Sequence, residues 1–286
     1  MKETVLRKKK VDKFEMLLDI DDGGISRVLY AAGVREKIFM SLIRNAVQPG
    51  MVCVDLGANI GYTTLFMLDR VGDEGFVYAI EPDKHNLDLL NRNISNNNFH
   101  GNCEMSQCAI SDKDGKLDFW IASKPNLNSV QKNKHSIRKE TVDSFTLETF
   151  LEPRKYPNFI KMDVEGHEVK IFEGAYEYFK KNPGSTHILL EVHPQYYNDD
   201  NDFQAILEKY FDIGFKPKFV VSTPVPRPKK FVEAGYKPAI ELPTDGFVRG
   251  LYNNISKQHL LEFSCRENIE GNSKKIVRSF MLSREQ

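Results

Sequence analysis

Two groups of residues have types and spacing that could do chemistry. The first is Asp55 followed by Gly57, Asn59 and Gly61, with Glu81-Pro82-Asp83 further along. The second is Lys161-Met162-Asp163-Val164-Glu165-Gly166, joined later by Glu191-Val192-His193-Pro194. The glycines of the first group follow an apolar run and precede a helical pattern, as phosphate-cradling loops do. Their spacing is G-x-N-x-G, however, and the dinucleotide fingerprint G-x-G-x-x-G is not met.

Asp55 puts a carboxylate where a pyrophosphate would lie, and like charges repel. The same carboxylate suits an ammonium, such as an amino-acid tail. Glu81 ends the next apolar run, where an acidic side chain can accept both hydroxyls of a ribose. An adenosine bearing an amino-acid tail and no phosphate satisfies both, which describes S-adenosylmethionine. Gly57 and Gly61 let backbone approach such a ligand without a Cβ; Asn59 adds an amide and Pro82 lies beside Glu81. Taken singly, Asp55 also reads as a loop-capping carboxylate and Gly61 as a helix-packing glycine. An NAD-dependent dehydrogenase fits poorly, because the third glycine is missing.

The second group offers acid–base chemistry. A hydroxyl acceptor holds its proton far above neutral pH, so a base must take it as the new bond forms. His193 is the first candidate, oriented by Glu191 or Asp163, because imidazole accepts a proton near pH 7. Asp163 is the alternative base, or a contact for the methionine tail. Lys161 lies two positions before Asp163 and shares its side of a strand, so it could pair with that carboxylate or position substrate. Glu165 with Gly166 reads as a helix cap. Asp163, Glu165, Glu191 and His193 could also hold a divalent ion through oxygen and nitrogen ligands. D-x-E…E-x-H is no structural metal pattern, and methyl transfer needs no metal, so none is expected. His167 reads as a surface or packing residue.

Short apolar runs at 51–55, 76–82, 103–110, 159–164 and 187–193 must position these residues, and each is bounded by polar or glycine punctuation. Such runs mark buried parallel strands. Between them, 62–70, 84–97 and 168–182 space their apolar residues as helices, and so does 34–47, which stops at Gln48-Pro49-Gly50. Alternating strand and helix implies a doubly wound α/β sheet. The alternation around Asp114-Gly115 reads as a hairpin over 109–121. Residues 216–243 carry six prolines among basic and aromatic residues and read as a structured insertion, with a last strand near 247–252.

The stretches VDLGANIGYTTL, AIEPD, AISDKDGKL, FIKMDVEGHEVKIFEGA and LLEVHP occur in the order seen in the FkbM family of S-adenosylmethionine-dependent methyltransferases. DDGGISRVLYAAGVREKIFMSLI and QPG resemble that family's lead-in, and the likeness runs from about residue 20 to residue 215. The resemblance implies a class I, Rossmann-like three-layer sandwich whose mostly parallel seven-stranded sheet has one antiparallel strand. It also implies O-methylation of hydroxyls on sugars or polyketides, and an adenine site near Cys108, Ala109 and Ile110. Ser111 or Asp112 would then meet the exocyclic amine or simply form a polar turn. Arg35 departs from the family, which often has an aromatic residue there. The chain after 216 matches no pattern of the family.

The expected organisation is one domain, with residues 1–48 a lead-in packed on a methyltransferase core over 49–286. Lys plus Arg equals Asp plus Glu, 40 each, so no global field draws nucleic acid or an anionic membrane. The expected partner is a hydroxyl-bearing acceptor, a sugar, glycan or small molecule, with no nucleic acid. No apolar run is long enough to span a membrane. Four cysteines without C-x-x-C spacing read as reduced residues of a cytoplasmic protein. Residues 7–10 read as a frayed basic terminus. Phe219, Phe231 and Tyr236, interleaved with Arg227, Lys229 and Lys230, could face a glycan or an anionic acceptor. The same region could instead be a proline-braced hairpin or the arm of a homo-oligomer. Residues 126–130 are a second candidate for the acceptor rim. A non-catalytic subunit that binds S-adenosylmethionine is the alternative function.

Overall fold

The structure, a computed structural model, describes residues 5–223, 229–244, 247–265 and 276–285. Contacts divide the chain into two compact units, Met1–Ala109 with Gly115–Ser144 and Ile110–Asp114 with Phe145–Gln286. The first holds β1 (Leu6–Val11), β2 (Phe14–Asp19), α1 (Ile25–Ala32), α2 (Lys37–Ala46), β3 (Val52–Leu56), α3 (Tyr62–Val71), β4 (Phe76–Ile80), α4 (Lys84–Asn96) and β5 (Cys103–Ser106). After β6 (Ala109–Ser111), the chain forms β7 (Gly115–Ala122) and β8 (Ser136–Thr146).

All five residues of β3 are buried, because a parallel strand covered on both faces needs an unbroken apolar run. β3, β4 and β5 pair in that order and in parallel, Asp55 opposite Ala79 and Ile80 opposite Ser106. Helix α3 packs on β3 and β4, and α4 starts where the Asp83 side chain accepts from Asn86 N, an N-cap. The run expected as one strand over 103–110 is two, broken at Gln107 and Cys108.

The amino-terminal segment is not frayed. β1 pairs antiparallel with β2 from Leu6 opposite Asp19 to Val11 opposite Phe14. Asn93 of α4, fully buried, fastens this hairpin: Leu17 N donates to its Oδ1, and its Nδ2 donates to the carbonyls of Leu17 and Ile60. The chain also does not turn back at Asp114-Gly115. β7 finds its partner in β8, Gly115 opposite Ser144, while Asp114 accepts from Thr146 N and Thr149 Oγ1 at the start of the next helix.

The second unit holds α5 (Leu147–Leu151), β9 (Phe159–Met162), α6 (Glu168–Lys181), β10 (Thr186–Glu191), α7 (Phe203–Asp212), β11 (Lys216–Ser222), α8 (Lys229–Glu233), β12 (Ile240–Thr244), β13 (Phe247–Asn253), α9 (Lys257–Ser264) and β14 (Val277–Arg284). Its strands run in the order β12-β13-β11-β14-β10-β9. β9 and β10 are parallel, whereas β14 is antiparallel to both β10 and β11, and β13 is antiparallel to β11 and β12. Two strands therefore run against the rest, where one was expected. The three parallel strands of the first unit and these six number nine among the described residues, against the expected seven.

The proline-rich segment divides differently from its composition. Residues 216–222 are an inner strand, paired on both sides, while Pro224, Pro226, Arg227 and Pro228 lie outside the described residues. Phe231 is fully buried and packs on Tyr252 and Phe263. The Tyr236 hydroxyl meets His259 Nδ1 and accepts from Ser256 N. Phe231 is thus core, and Tyr236 is half-buried with its hydroxyl bonded to the polypeptide. The last strand is β14, beyond the one expected near 247–252. Arg284, at its end, is buried and donates to the carbonyls of Phe179, Asn182 and Gly184 and to the Tyr156 hydroxyl. It closes the carboxyl end of α6, where unpaired carbonyls and the helix dipole favour a cation.

Candidate active site

In the first unit, the two acidic residues lie at the ends of β3 and β4. Asp55 is fully buried and its Oδ2 accepts from Thr63 Oγ1 and Thr64 Oγ1, each at 2.7 Å. It thus ties the loop to the first turn of α3. The loop folds over the end of β4, with Gly57 N and Ala58 N both donating to Ile80 O. Asn59 takes a left-handed φ of 50° and its N–H donates to Glu81 Oε2 at 2.8 Å. Glu81 Oε1 accepts from Asp83 N at 3.0 Å. Burial, then the charge of Asp83, push the Glu81 carboxyl up to about 7, against hydrogen bonds from Asp83, Asn59 and Asn86 that lower it.

Gly61 has φ 90°, and a Cβ there would lie 2.6 Å from Leu90 Cδ1 of α4. Its packing role is therefore explicit. Arg35, the departure from the family's lead-in, is used through its backbone: its N–H donates to the Tyr62 hydroxyl, which donates to its carbonyl. Residues 126–130 are held by local bonds, Asn128 Oδ1 accepting from Ala122 N and Ser129 pairing with Trp120. This donor set fits S-adenosylmethionine. It offers two buried carboxylates and loop backbone, and neither 55–63 nor 80–83 contains a basic residue to hold phosphate.

In the second unit, residues after β9 and β10 converge on His193, which is buried. Its Nδ1 lies 2.7 Å from Glu168 Oε1, and Glu168 is itself fully buried. Sequence reasoning did not select Glu168, and expected Glu191 or Asp163 to orient the imidazole. Glu168 also accepts from Gly166 N at Oε1 and from the Tyr197 hydroxyl at Oε2, and that hydroxyl accepts from His193 N. On the other side of the ring, Nε2 lies 3.3 Å from Glu165 Oε2 and 3.7 Å from Glu191 Oε1. Arg278 Nη1 of β14 meets Glu191 Oε1 at 2.6 Å.

Burial pulls the His193 imidazole down, but Glu168, Glu165 and Glu191 outweigh it and push it up to about 9. Burial pushes the Glu165 carboxyl up to about 7, with Asp163, Glu191 and Glu168 adding to the rise and His193 opposing it. Glu168 moves the other way: burial opposes its charge, yet His193 and the Gly166 N–H hold it below the usual carboxylate range.

Glu165 does not simply cap α6. It takes φ 50°, and the following Gly166 has φ 100°, where any Cβ would run into the Tyr196 ring. The turn therefore fixes Glu165 beside the imidazole. Ligand atoms of Asp163, Glu165 and His193 lie within 4.8 Å of one another, so three of the four residues expected to be able to hold an ion come together and Glu191 is not in that group. Lys161 is buried on β9. His167 is buried, not at the surface: its Nε2 meets Ser111 Oγ at 2.9 Å, and Ser111 Oγ donates to Asp112 Oδ1. Ser111 and Asp112 are thus engaged with the following helix and each other. All four cysteines are free.

An α/β chain with acidic residues closing its first two parallel strands has the organisation of an S-adenosylmethionine-dependent methyltransferase. The chain belongs to the methyltransferase FkbM domain family, whose profile matches residues 55–217. Among solved structures, it is similar to a methyltransferase FkbM from Methylobacillus flagellatus KT, with 18% identity and a TM-score of 0.43 over 80% of this chain and 54% of that one. The chain thus spans about half the length of that relative. It is also similar to an S-adenosylmethionine-dependent O-methyltransferase from Thermotoga maritima, with 13% identity, a TM-score of 0.43, and 98% and 78% of the two chains covered. An O-methyltransferase from Bacillus cereus in complex with S-adenosylhomocysteine matches at 12% identity and a TM-score of 0.40, over 87% and 80%. No curated protein matches the chain. Among the described residues, no helix is long and apolar enough to cross a membrane.

Proposed function

We propose that the protein is an O-methyltransferase that moves the methyl group of S-adenosylmethionine to a hydroxyl of a sugar, glycan or secondary metabolite. The observation that carries this reading is the cluster in which His193 Nδ1 meets the buried Glu168 at 2.7 Å and its Nε2 faces Glu165 at 3.3 Å. Such a cluster serves an acceptor that must lose a proton as it is methylated. When bound, the cofactor supplies an electrophilic methyl on a sulfonium.

The chain's own residues do the rest. Glu81 takes the ribose hydroxyls, beside Pro82. The loop of Gly57, Asn59 and Gly61 gives the nucleoside and its tail room. Asp55 sets that loop and its negative charge favours the ammonium. Ala109 and Ile110 face adenine, and Asp163 takes the tail or flanks the acceptor. Lys161 and Glu191 hold charge around that acceptor. Methyl transfer is an in-line displacement, so positioning and exclusion of water supply most of the acceleration.

The test is transfer of labelled methyl from S-adenosylmethionine onto a panel of neutral oligosaccharides and small alcohols. The expected product is a methyl ether. Label found only on amines or thiols, or binding of NADH in place of S-adenosylhomocysteine, would sink the proposal.

A further inference from the structure

The hairpin of β1 and β2 has one closed edge and one open edge. On the β2 side, two asparagines of α4 stand in for a neighbouring strand. Leu17 N donates to Asn93 Oδ1, and Asn93 Nδ2 donates to Leu17 O. Glu15 N donates to Asn97 Oδ1, and Asn97 Nδ2 donates to Glu15 O. Along an antiparallel pair, residues that exchange both bonds with the facing strand alternate with residues that turn theirs outward. Leu17 and Glu15 turn theirs to α4, so the residues opposite them, Lys8 and Lys10, turn theirs the other way, off the hairpin. Arg7, Lys9 and Val11 exchange their bonds with Leu18, Met16 and Phe14. Among the described residues, β1 pairs with β2 alone. The Leu6 carbonyl accepts from Arg7 Nη1, which leaves Lys8 and Lys10, both exposed, as the open stretch of main chain.

We propose that this edge takes an extended acidic segment of a partner protein as an added antiparallel strand. An unpaired edge offers main-chain bonds to any extended chain, and side chains decide which chain takes them. Arg7, Lys8, Lys9 and Lys10 form an unbroken basic run along the edge. Lys8 meets Glu15 at 2.8 Å with 62% of its side chain open, and so exposed a pair yields readily to an incoming carboxylate. Lys9 lies over the Tyr30 ring of α1, on the other face of the strand. Residues of the added strand opposite Lys8 and Lys10 carry their side chains on the same face as those lysines, so carboxylates at alternate positions meet both. The same run disfavours a second copy of this chain, because pairing edge to edge would set one basic strand against another.

Amide hydrogen exchange of the full chain, read residue by residue by nuclear magnetic resonance, tests this with an end-capped octapeptide of alternating glutamate and valine. In the free protein the Lys8 and Lys10 amides should exchange fast and those of Lys9 and Val11 slowly. The peptide should slow Lys8 and Lys10 about tenfold or more, and this protection should fade as salt is raised. A lysine–valine octapeptide should leave the exchange unchanged. Lys8→Glu combined with Lys10→Glu should weaken binding of the acidic peptide about tenfold or more, with slow exchange at Lys9 and Val11 showing that the hairpin is still folded. Unchanged exchange of Lys8 and Lys10 at about 1 mM acidic peptide overturns the proposal. A dimer in sedimentation whose Lys8 and Lys10 amides are already slow would give the edge to a second copy. Adsorption to phosphatidylglycerol vesicles, with no protection by the peptide, would give the basic run to a membrane surface. Either of these results also overturns the proposal.

Discussion

Replacing Glu81 by glutamine should weaken S-adenosylhomocysteine binding and remove its pH dependence. The carboxylate is buried and receives Asn59 N–H on one oxygen and Asp83 N–H on the other. Oε2 keeps a lone pair for one ribose hydroxyl, and a second hydroxyl at Oε1 would replace the long 3.4 Å bond from Asn86 Nδ2. A hydrogen bond to a charged group contributes about 1.5–3 kcal/mol, so losing two costs at least about 3 kcal/mol, roughly 100-fold in Kd. The pH dependence follows from the carboxyl pushed up to about 7 in the free protein. Two donated hydroxyls favour the ionised form, so binding at pH 6 must expel a proton and is weaker there. One unit below that value about a tenth of the molecules are ionised, and one unit above it about nine-tenths. Affinity should therefore rise about tenfold from pH 6 to pH 8 in the wild type and stay flat in Glu81→Gln. The same shift has a stability consequence of opposite sense. A buried acid with a raised folded pKa contributes stability at low pH that declines as pH rises from 4.5 through about 7. Calorimetry in two buffers of different ionisation enthalpy would count the proton. A Glu81→Gln Kd within a factor of about two of wild type, or a pH-independent wild type, would refute the assignment of Glu81 to the ribose.

Arg284→Met should lower unfolding stability by about 2–4 kcal/mol, because it strips the carbonyls closing α6 of their donors; coincident urea midpoints for mutant and wild type would contradict this. Gly61→Ala should cost about 1–3 kcal/mol from the left-handed backbone and the contact with Leu90. Combined with Leu90→Ala its cost should be less than additive, and strict additivity in thermal unfolding would remove Leu90 as the cause. Magnesium should show no saturable heat of binding, since an in-line methyl transfer needs no metal; saturable binding abolished by Asp163→Ala would reverse that view.

The repeating strands and helices were legible because buried parallel strands leave unbroken apolar runs such as Val52 to Leu56, and because acids at strand ends follow from the ends of those runs. The first strand pair was not, because the outer strand, Leu6 to Val11, is mostly basic and its apolar signal sits on Phe14 to Leu18 opposite. Glu168 escaped because its place at a helix start explains an acid without any partner, while His193 is 25 residues away. No periodicity links the two. Phe231 was hard to place for the opposite reason, since prolines and lysines around it suggested surface where the structure packs it on Tyr252 and Phe263. β14 was not read as a strand, and the pairing of Arg284 with backbone carbonyls and of Arg278 with Glu191 is not revealed by composition.

β14 has one further consequence, for the order in which the second unit can form. It lies between β10 and β11, yet it is the last of that unit's strands to be made. Until it arrives, β10 and β11 each present an open edge, and α6 lacks the guanidinium that closes it. Strand edges left unpaired during synthesis invite pairing with other chains. The interval between translation of Glu191 and translation of Arg284 is thus the chain's period of greatest exposure to misassembly.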